Sequence, residues 1–92
     1  MFYLVCFDIV DDRTRNRVVK CLKSYGVRVQ KSVFECPSLT EEKFLKMRYS
    51  LEDLIDANED TVRYYPLCRS CIKNVEFSGI GEPPAREKYR VV

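Results

Sequence analysis

An apolar run that ends in a carboxylate constrains the fold of this chain more than any other feature. Residues 2–7 read FYLVCF, and Asp8 follows them directly. A strand that is apolar at every position, rather than at every second one, is typical of a strand buried on both faces. The sequence therefore predicts a central strand over residues 2–9, with the Asp8 carboxylate held on rigid backbone near its carboxyl end.

The size and composition indicate one small domain. The chain has 92 residues, of which 46% are hydrophobic, and no apolar run approaches the ~18 residues that a membrane span needs. The apolar start has no preceding basic residues and no cleavage site, unlike a secretion signal. We therefore expect a cytoplasmic protein without membrane contact. A domain of this size buries somewhat more than ~60% of its unfolded surface, which favours association with a partner.

The residues after Asp8 predict a helix. Asp11 or Asp12 is its expected cap, because a short carboxylate accepts hydrogen bonds from the free amides of a first turn. Gly26 is expected to end the helix in the left-handed conformation that glycine adopts without steric cost. The buried stripe of this helix is predicted at Val18, Cys21, Leu22 and Tyr25.

The rest of the chain predicts further strands and a second helix. Pro37 ends a strand over residues 27–36, since proline has no amide hydrogen for a ladder. Ser38 or Thr40 caps a helix whose apolar residues recur at helical spacing as far as Ile55. More strands are predicted at 61–67, 72–77 and, after a Gly/Pro loop, 88–92.

The predicted order is thus βαβαββ, followed by a short terminal strand. This is an α+β fold, in which two helices cover one face of a mostly antiparallel sheet. Residues 1–79 are expected to form the folded domain, and residues 80–92 a loop and strand that contact a second copy or another partner. Apolar residues on the open face of so short a chain also imply a partner.

Charge is unevenly distributed along the chain. The net charge is only +2, but residues 13–34 contain seven basic residues and no acid, whereas residues 41–60 contain seven acids and three bases. A basic block beside an acidic one fits a face that meets a polyanion. A solvated helix face explains the same charges equally well.

Asp8 and the arginines after it are candidates for a metal and phosphate site, with nucleic acid as the leading ligand. A strand-end carboxylate can hold a divalent cation, and arginines can hold phosphates. Magnesium is coordinated by about six oxygens, so a single carboxylate is a poor magnesium site. A two-fold dimer would supply a second carboxylate. From the residues alone, an Asp8 that caps the next helix or lies in a solvated turn is the simpler interpretation. Histidine is absent, which excludes a Ser-His triad.

The five cysteines predict reduced thiols. Without a secretion signal a disulfide framework is not expected. Cys6, Cys21 and Cys36 lie in apolar patterns and are predicted as small core residues. Cys68 and Cys71 form a single C-x-x-C motif. Two thiols at the start of a strand are a simpler interpretation of this motif than a metal site or a redox function.

The first half of the sequence resembles the small CRISPR-associated endoribonuclease family, the second core Cas adaptation protein and partner of the Cas integrase. The resemblance is carried by an ordered set over Tyr3 to Glu35, and no single piece of it is specific. The set consists of Phe7-Asp8-Ile9, Asp11-Asp12, Arg15-Asn16-Arg17, Gly26 and Gln30-Lys31-Ser32-Val33-Phe34-Glu35. The family has tyrosine where this chain has Phe7.

This resemblance implies a ferredoxin-like fold, a homodimer packed through the open sheet faces, and a terminal strand that joins a neighbouring sheet. The sheet order is taken from the family, which places the two middle strands together. The resemblance also implies magnesium, or another divalent cation, on Asp8 as the catalytic metal ligand. It implies nucleic-acid binding by Arg15, Arg17 and Arg28, with Phe34 as a supporting aromatic.

Three functions stay open at this point. The first is a CRISPR adaptation (spacer acquisition) protein with magnesium-dependent endonuclease activity on duplex DNA or single-stranded RNA. The second is a non-catalytic scaffold that bridges integrase dimers on foreign DNA. The third is a toxin-like ribonuclease of the same fold. An adjacent integrase gene and repeat array would favour adaptation over a toxin.

Overall fold

The computed structural model of the chain describes residues 1–80, which form four strands and three helices. In chain order these are β1 Phe2–Asp8, α1 Asp12–Lys23, β2 Val27–Gln30, β3 Val33–Cys36, α2 Glu41–Leu54, β4 Thr61–Leu67 and α3 Arg69–Lys73. Within residues 1–80 no helix is long and apolar enough to cross a membrane. The predicted strand at 88–92 lies outside the described residues.

One antiparallel sheet organises the fold. The strand order is β2-β3-β1-β4, so the apolar β1 is internal, as predicted, and pairs with both β3 and β4. Helices α1 and α2 contact each other, and their buried residues join those of β1 and β3 in one core. The described part of the chain is therefore an α+β, ferredoxin-like fold, which confirms the predicted class.

The main core lies between the sheet and the two long helices. Its aromatic edge is ordered by specific ring contacts, since Tyr3 stacks on Phe44 with centroids 4.2 Å apart, and Phe44 meets Tyr64 edge-on at 5.5 Å. The buried members of the core are Val5, Phe7, Ile9, Val18, Val19, Leu22, Phe34, Cys36, Leu39, Met47 and Leu51. The predicted stripe of α1 belongs here, because Cys21 and Tyr25 pack against this cluster.

The prediction of one strand over residues 27–36 is wrong, because the chain turns back within it. Strands β2 and β3 pair as an antiparallel hairpin with an irregularity between Arg28 and Gln30. The turn is held by the Arg28 guanidinium, whose Nε and Nη2 donate to the Lys31 carbonyl oxygen at 3.0 and 2.5 Å. The linear order βαβαββ is corrected accordingly, since the two middle strands are neighbours, as the family resemblance implied.

The predicted strand at 72–77 is also wrong. Residues Arg69–Lys73 form the short helix α3 instead, and the Ile72 amide donates to the Cys68 carbonyl oxygen at 3.0 Å. Ile72 is buried outside the main core cluster. A helix of five residues is too short to show helical periodicity in a sequence, and Ile72 is its one buried residue.

Gly26 is needed for space and not for a left-handed turn, so that prediction is wrong as well. Helix α1 ends at Lys23 and is capped by Ser24, whose amide donates to the Cys21 carbonyl oxygen at 3.2 Å. A Cβ at Gly26 would lie 2.3 Å from the Glu35 carbonyl oxygen and 2.9 Å from the Cys36 Cα. Both are backbone atoms of β3, so only glycine lets the chain pass this close to that strand.

The two long helices begin as the capping residues predicted. The Asp11 carboxylate accepts a hydrogen bond from the Thr14 amide at 2.9 Å, and the Thr40 hydroxyl accepts one from the Lys43 amide at 3.1 Å. The Thr14 amide and hydroxyl hold the pKa of Asp11 below its ordinary value. Asp11 is therefore committed to α1, as expected for a cap, and not to a ligand.

Candidate functional site at the end of the first strand

Asp8 is the last residue of β1, and its side chain is exposed. It lies opposite Thr61 of β4 in the register of the sheet. Because side chains alternate along a strand, Asp8 shares the open face with Leu4 and Cys6, while Val5 and Phe7 point into the core. Among the residues described, no group donates a hydrogen bond to the Asp8 carboxylate, which leaves it available for an external ligand.

The turn after Asp8 is fixed by a buried carboxylate. Asp60 is only 6% exposed, and its two carboxylate oxygens accept hydrogen bonds from the amides of Val10 and Asp56, both at 2.9 Å. The chain leaving β1 is thus tied to the segment that enters β4. The role of Asp60 could not be predicted from the sequence, since no local pattern reveals a partner 50 positions away.

Arg15 fastens the same turn from the other side. Its Nη2 donates to the Ile9 carbonyl oxygen at 2.9 Å, and its Nη1 pairs with the Asp12 carboxylate. Arg15 is therefore already engaged in the fold. Asp12 forms this ion pair with Arg15. Neither Asp11 nor Asp12 joins Asp8 as a further candidate metal ligand.

The other predicted site residues have different surroundings. Arg17 is exposed on α1, and no hydrogen bond or ion pair engages it within residues 1–80. Arg28 holds the β2–β3 turn through the Lys31 carbonyl oxygen. Phe34 is fully buried and packs against Phe7 with ring centroids 6.3 Å apart, so it supports the strand end from the core side. A tyrosine hydroxyl at position 7 would face the same core.

Arg63 is a candidate that sequence analysis missed. It pairs with Cys6 across β1 and β4, which places it on the open face one step diagonally from Asp8. Its Nη1 donates to the Tyr65 hydroxyl at 3.4 Å. Tyr65 is 42% exposed, whereas Tyr64 packs against the core. Burial raises the pKa of Tyr64 to about 12.

A single chain does not assemble a complete metal centre in the part that the structure describes. No group of three or more Asp, Glu, Cys or His side chains is clustered there. Asp8 is the one carboxylate that this strand end offers, because Asp11, Asp12 and Asp60 are committed to hydrogen bonds or an ion pair. One exposed carboxylate fits a divalent cation whose remaining oxygens come from a second copy, from water or from a phosphate.

Comparison with known proteins identifies the family. The family model described as CRISPR associated protein Cas2 matches residues 1–75. The chain belongs to the Cas2 family. A Cas2 endoribonuclease of Chloroflexus aurantiacus is 44% identical over 85 residues, which cover 91% of this chain and 90% of that protein. A Cas2 endonuclease of Thermus thermophilus is 39% identical over 90 residues, covering 98% of this chain and 94% of that one.

A solved assembly has a chain of the same fold. In a structure described as a partial Cas6-RT-Cas1–Cas2 complex, the matching chain is 34% identical and superposes with a TM-score of 0.77. The match covers 91% of this chain and 96% of that one. The similarity to Cas2 structures therefore extends well beyond residues Tyr3 to Glu35, on which the sequence resemblance was based.

Proposed function

We propose that this Cas2 protein works in CRISPR adaptation as a homodimer that binds nucleic acid and cleaves phosphodiester bonds with a divalent cation held by Asp8. The observation that carries the proposal is the exposed Asp8 carboxylate at the end of a rigid internal strand, in a chain whose relatives are named endoribonucleases and endonucleases. The solved complex that contains both Cas1 and Cas2 supports the Cas1 integrase as partner.

The open sheet face supports a dimer in which two Asp8 side chains approach each other. Leu4, Cys6 and Val33 lie on this face only half-buried, and Tyr65 and Val27 are 42% and 52% exposed. Burial of these side chains against a second copy would remove apolar surface from water. A two-fold axis near the end of β1 would then supply the second carboxylate that one chain lacks.

In the mechanism, each residue near Asp8 has a separate task. Asp8 would hold the divalent cation through its anionic oxygen, and the chemistry that the bound cation would supply is polarisation of the phosphate and activation of water. Asp60 and Arg15 keep the strand end and its following turn in place. We assign phosphate contacts to Arg17, which is exposed, and to Arg63, which shares the sheet face of Asp8; both would form charge-assisted hydrogen bonds.

The decisive experiment replaces Asp8 with asparagine, which preserves shape and removes the charge. We expect Asp8→Asn to keep the fold and the affinity for nucleic acid and to lose magnesium- or manganese-dependent cleavage of duplex DNA and single-stranded RNA. Asp53→Asn is the matched control, since Asp53 is an exposed carboxylate on α2 that has no part in the proposed site. Cleavage by the Asp8→Asn dimer at the wild-type rate contradicts the proposal.

A non-catalytic scaffold is the second candidate function. It is favoured by the lack of a three-ligand cluster within residues 1–80 and by the solved Cas1–Cas2 assembly. The two candidates differ in an integration assay with the integrase. If Asp8→Asn supports integration as well as the wild type and neither protein cleaves with any divalent cation, the scaffold function replaces the nuclease.

A further inference from the structure

Cys68 and Cys71 form a close pair of exposed thiols at the start of α3. Their sulfur atoms are 3.3 Å apart and share a hydrogen bond. Both residues are exposed, and they lie on the side of the molecule where β4 ends, opposite the end of β1 that carries Asp8. None of the tasks assigned above to the strand-end site uses either thiol.

The pair differs from the other cysteines in exposure and in acidity. Cys36 is buried, and burial raises its pKa to about 11. Burial also raises the pKa of Cys6 and of Cys21. The amide and thiol of Cys71, in contrast, lower the pKa of Cys68, while the neighbouring Cys68 raises that of Cys71. Since thiolates are the reactive form, the lowered pKa and the exposure of Cys68 favour it as the attacking thiol.

A reagent has a direct path to Cys68. The residue lines an open groove of about 570 Å³. The other lining residues include the apolar Met1, Phe2, Leu39 and Leu67, and also Arg69. A groove of this kind admits a small peptide-like disulfide whose carboxylates meet the arginine. Cys71 is one helical turn away from Cys68, and is therefore placed to attack any adduct formed there.

We propose that Cys68 and Cys71 are a redox-sensitive pair that forms a reversible intrachain disulfide by exchange with a small-molecule disulfide. The Cys68 thiolate attacks one sulfur of that disulfide and releases one thiol, giving a mixed disulfide. The Cys71 thiolate then attacks the Cys68 sulfur and releases the second thiol. The protein dithiol is oxidised by two electrons, the small disulfide is reduced to two thiols, and the two protons of the protein thiols pass to the products.

The geometry requires little movement for this step. Closing the bond brings the sulfurs from 3.3 Å to roughly 2.05 Å, which side-chain rotation achieves within one helical turn. A structural zinc site is the other common use of a C-x-x-C pair, but it needs four ligands. No third Cys, His, Asp or Glu joins the two thiols in the described part of the chain.

The test uses the full-length protein in glutathione buffers that range from fully reduced to fully oxidised. In the oxidised buffer we expect the free thiols, counted after the protein is denatured, to fall from five to three and the intact mass to fall by two hydrogen atoms. Trypsin cuts after Arg69, between the two cysteines, so the peptides YYPLCR and SCIK should remain joined. Dithiothreitol should separate them.

Single cysteine variants distinguish a Cys68–Cys71 disulfide from the other possible oxidation products. Cys71→Ser should stop at a stable glutathione adduct on Cys68, Cys68→Ser should lose the joined peptides, and the control Cys21→Ser should keep them. The proposal is overturned if the wild type retains five thiols, stops at the glutathione adduct, or joins Cys68 to a cysteine other than Cys71. None of these results depends on cleavage activity, so the pair is tested separately from the proposed nuclease.

Discussion

Arg15, Arg17 and Arg28, the three arginines predicted to bind nucleic acid, differ in how much of their hydrogen-bonding capacity the fold already uses. Arg15 donates to the Ile9 carbonyl oxygen and to the Asp12 carboxylate. Arg28 directs two of its nitrogens to one carbonyl oxygen. Arg17 has no such engagement among residues 1–80, so its guanidinium is available for phosphate at no cost to the fold.

Arg17→Ala and Arg28→Ala are therefore expected to act on different quantities. Arg17→Ala should weaken binding to duplex DNA and lower the slope of log affinity against log salt by about 0.9, because one phosphate contact is lost. Its free energy of unfolding should stay within about 0.5 kcal/mol of wild type. Arg28→Ala should destabilise the fold by about 1 kcal/mol through loss of the hairpin contact.

Salt-dependent binding and urea unfolding, measured on the same preparations, check this prediction. Lys46→Ala is the control, because Lys46 is an exposed cation on α2, within the acidic half of the chain, and its removal changes the net charge by the same amount as removal of Arg17. An unchanged salt slope in Arg17→Ala, or an equal loss of affinity in Lys46→Ala, contradicts a specific phosphate contact.

At the scale of elements, the turn between β1 and α1 depends on a carboxylate from the segment before β4. Asp60 accepts hydrogen bonds from the amides of Val10 and Asp56 in a site that is largely closed to water. A buried amide without an acceptor costs about 1–3 kcal/mol. The position of Asp8 at the end of β1 is thus coupled to a residue that never contacts the proposed ligand.

Asp60→Ala is expected to lower the free energy of unfolding by about 1–3 kcal/mol, since both amides lose their acceptor. Asp60→Asn should cost less, because the amide oxygen still accepts one of the two hydrogen bonds. Urea unfolding measures both, with Glu59→Ala as the exposed neighbouring control. If Asp60→Ala unfolds with the same free energy as the control, the buried carboxylate does not brace the turn.

The predictability of each element follows from where its stabilising contacts lie. Strand β1 and the helices α1 and α2 were predicted from local apolar spacing and from caps three residues away. The turn between β2 and β3 was missed, because no Gly or Pro marks residues 31 and 32. The turn is stabilised instead by hydrogen bonds from the Arg28 side chain, and only the folded structure shows this contact.

The candidate site was predicted in part for the same reason. Asp8 was placed correctly at a strand end by the apolar run that precedes it. Arg63 was missed because its place beside Asp8 depends on the register between β1 and β4, which the sequence alone does not specify. Asp60 was missed because its partner Val10 is 50 positions away. Long-range register and long-range hydrogen bonds have no local sequence pattern.

At the scale of the whole molecule, the open sheet face combines apolar side chains with one poorly solvated carboxylate. Glu35 lies between Leu4 of β1 and Val27 of β2 in the sheet register. Burial raises the pKa of Glu35 above its ordinary value of 4.5. Its ionised form is therefore less favourable in the folded chain than in the unfolded one, and docking of a second copy on this face would increase that penalty.

The sign of the pH dependence follows from this raised pKa. Below pH 4.5 Glu35 is mostly protonated in both states, so it adds no penalty. As pH rises through that ordinary value toward the higher folded pKa, the unfolded chain ionises first and stability is lost.

Glu35→Gln should therefore raise the free energy of unfolding and strengthen self-association near pH 7, and both gains should disappear at about pH 4. Urea unfolding and sedimentation equilibrium at the two pH values measure them, with Glu59→Gln as the exposed control. A gain that is equal at both pH values, or a dimer unaffected by Glu35→Gln, would contradict a dimer built on this face.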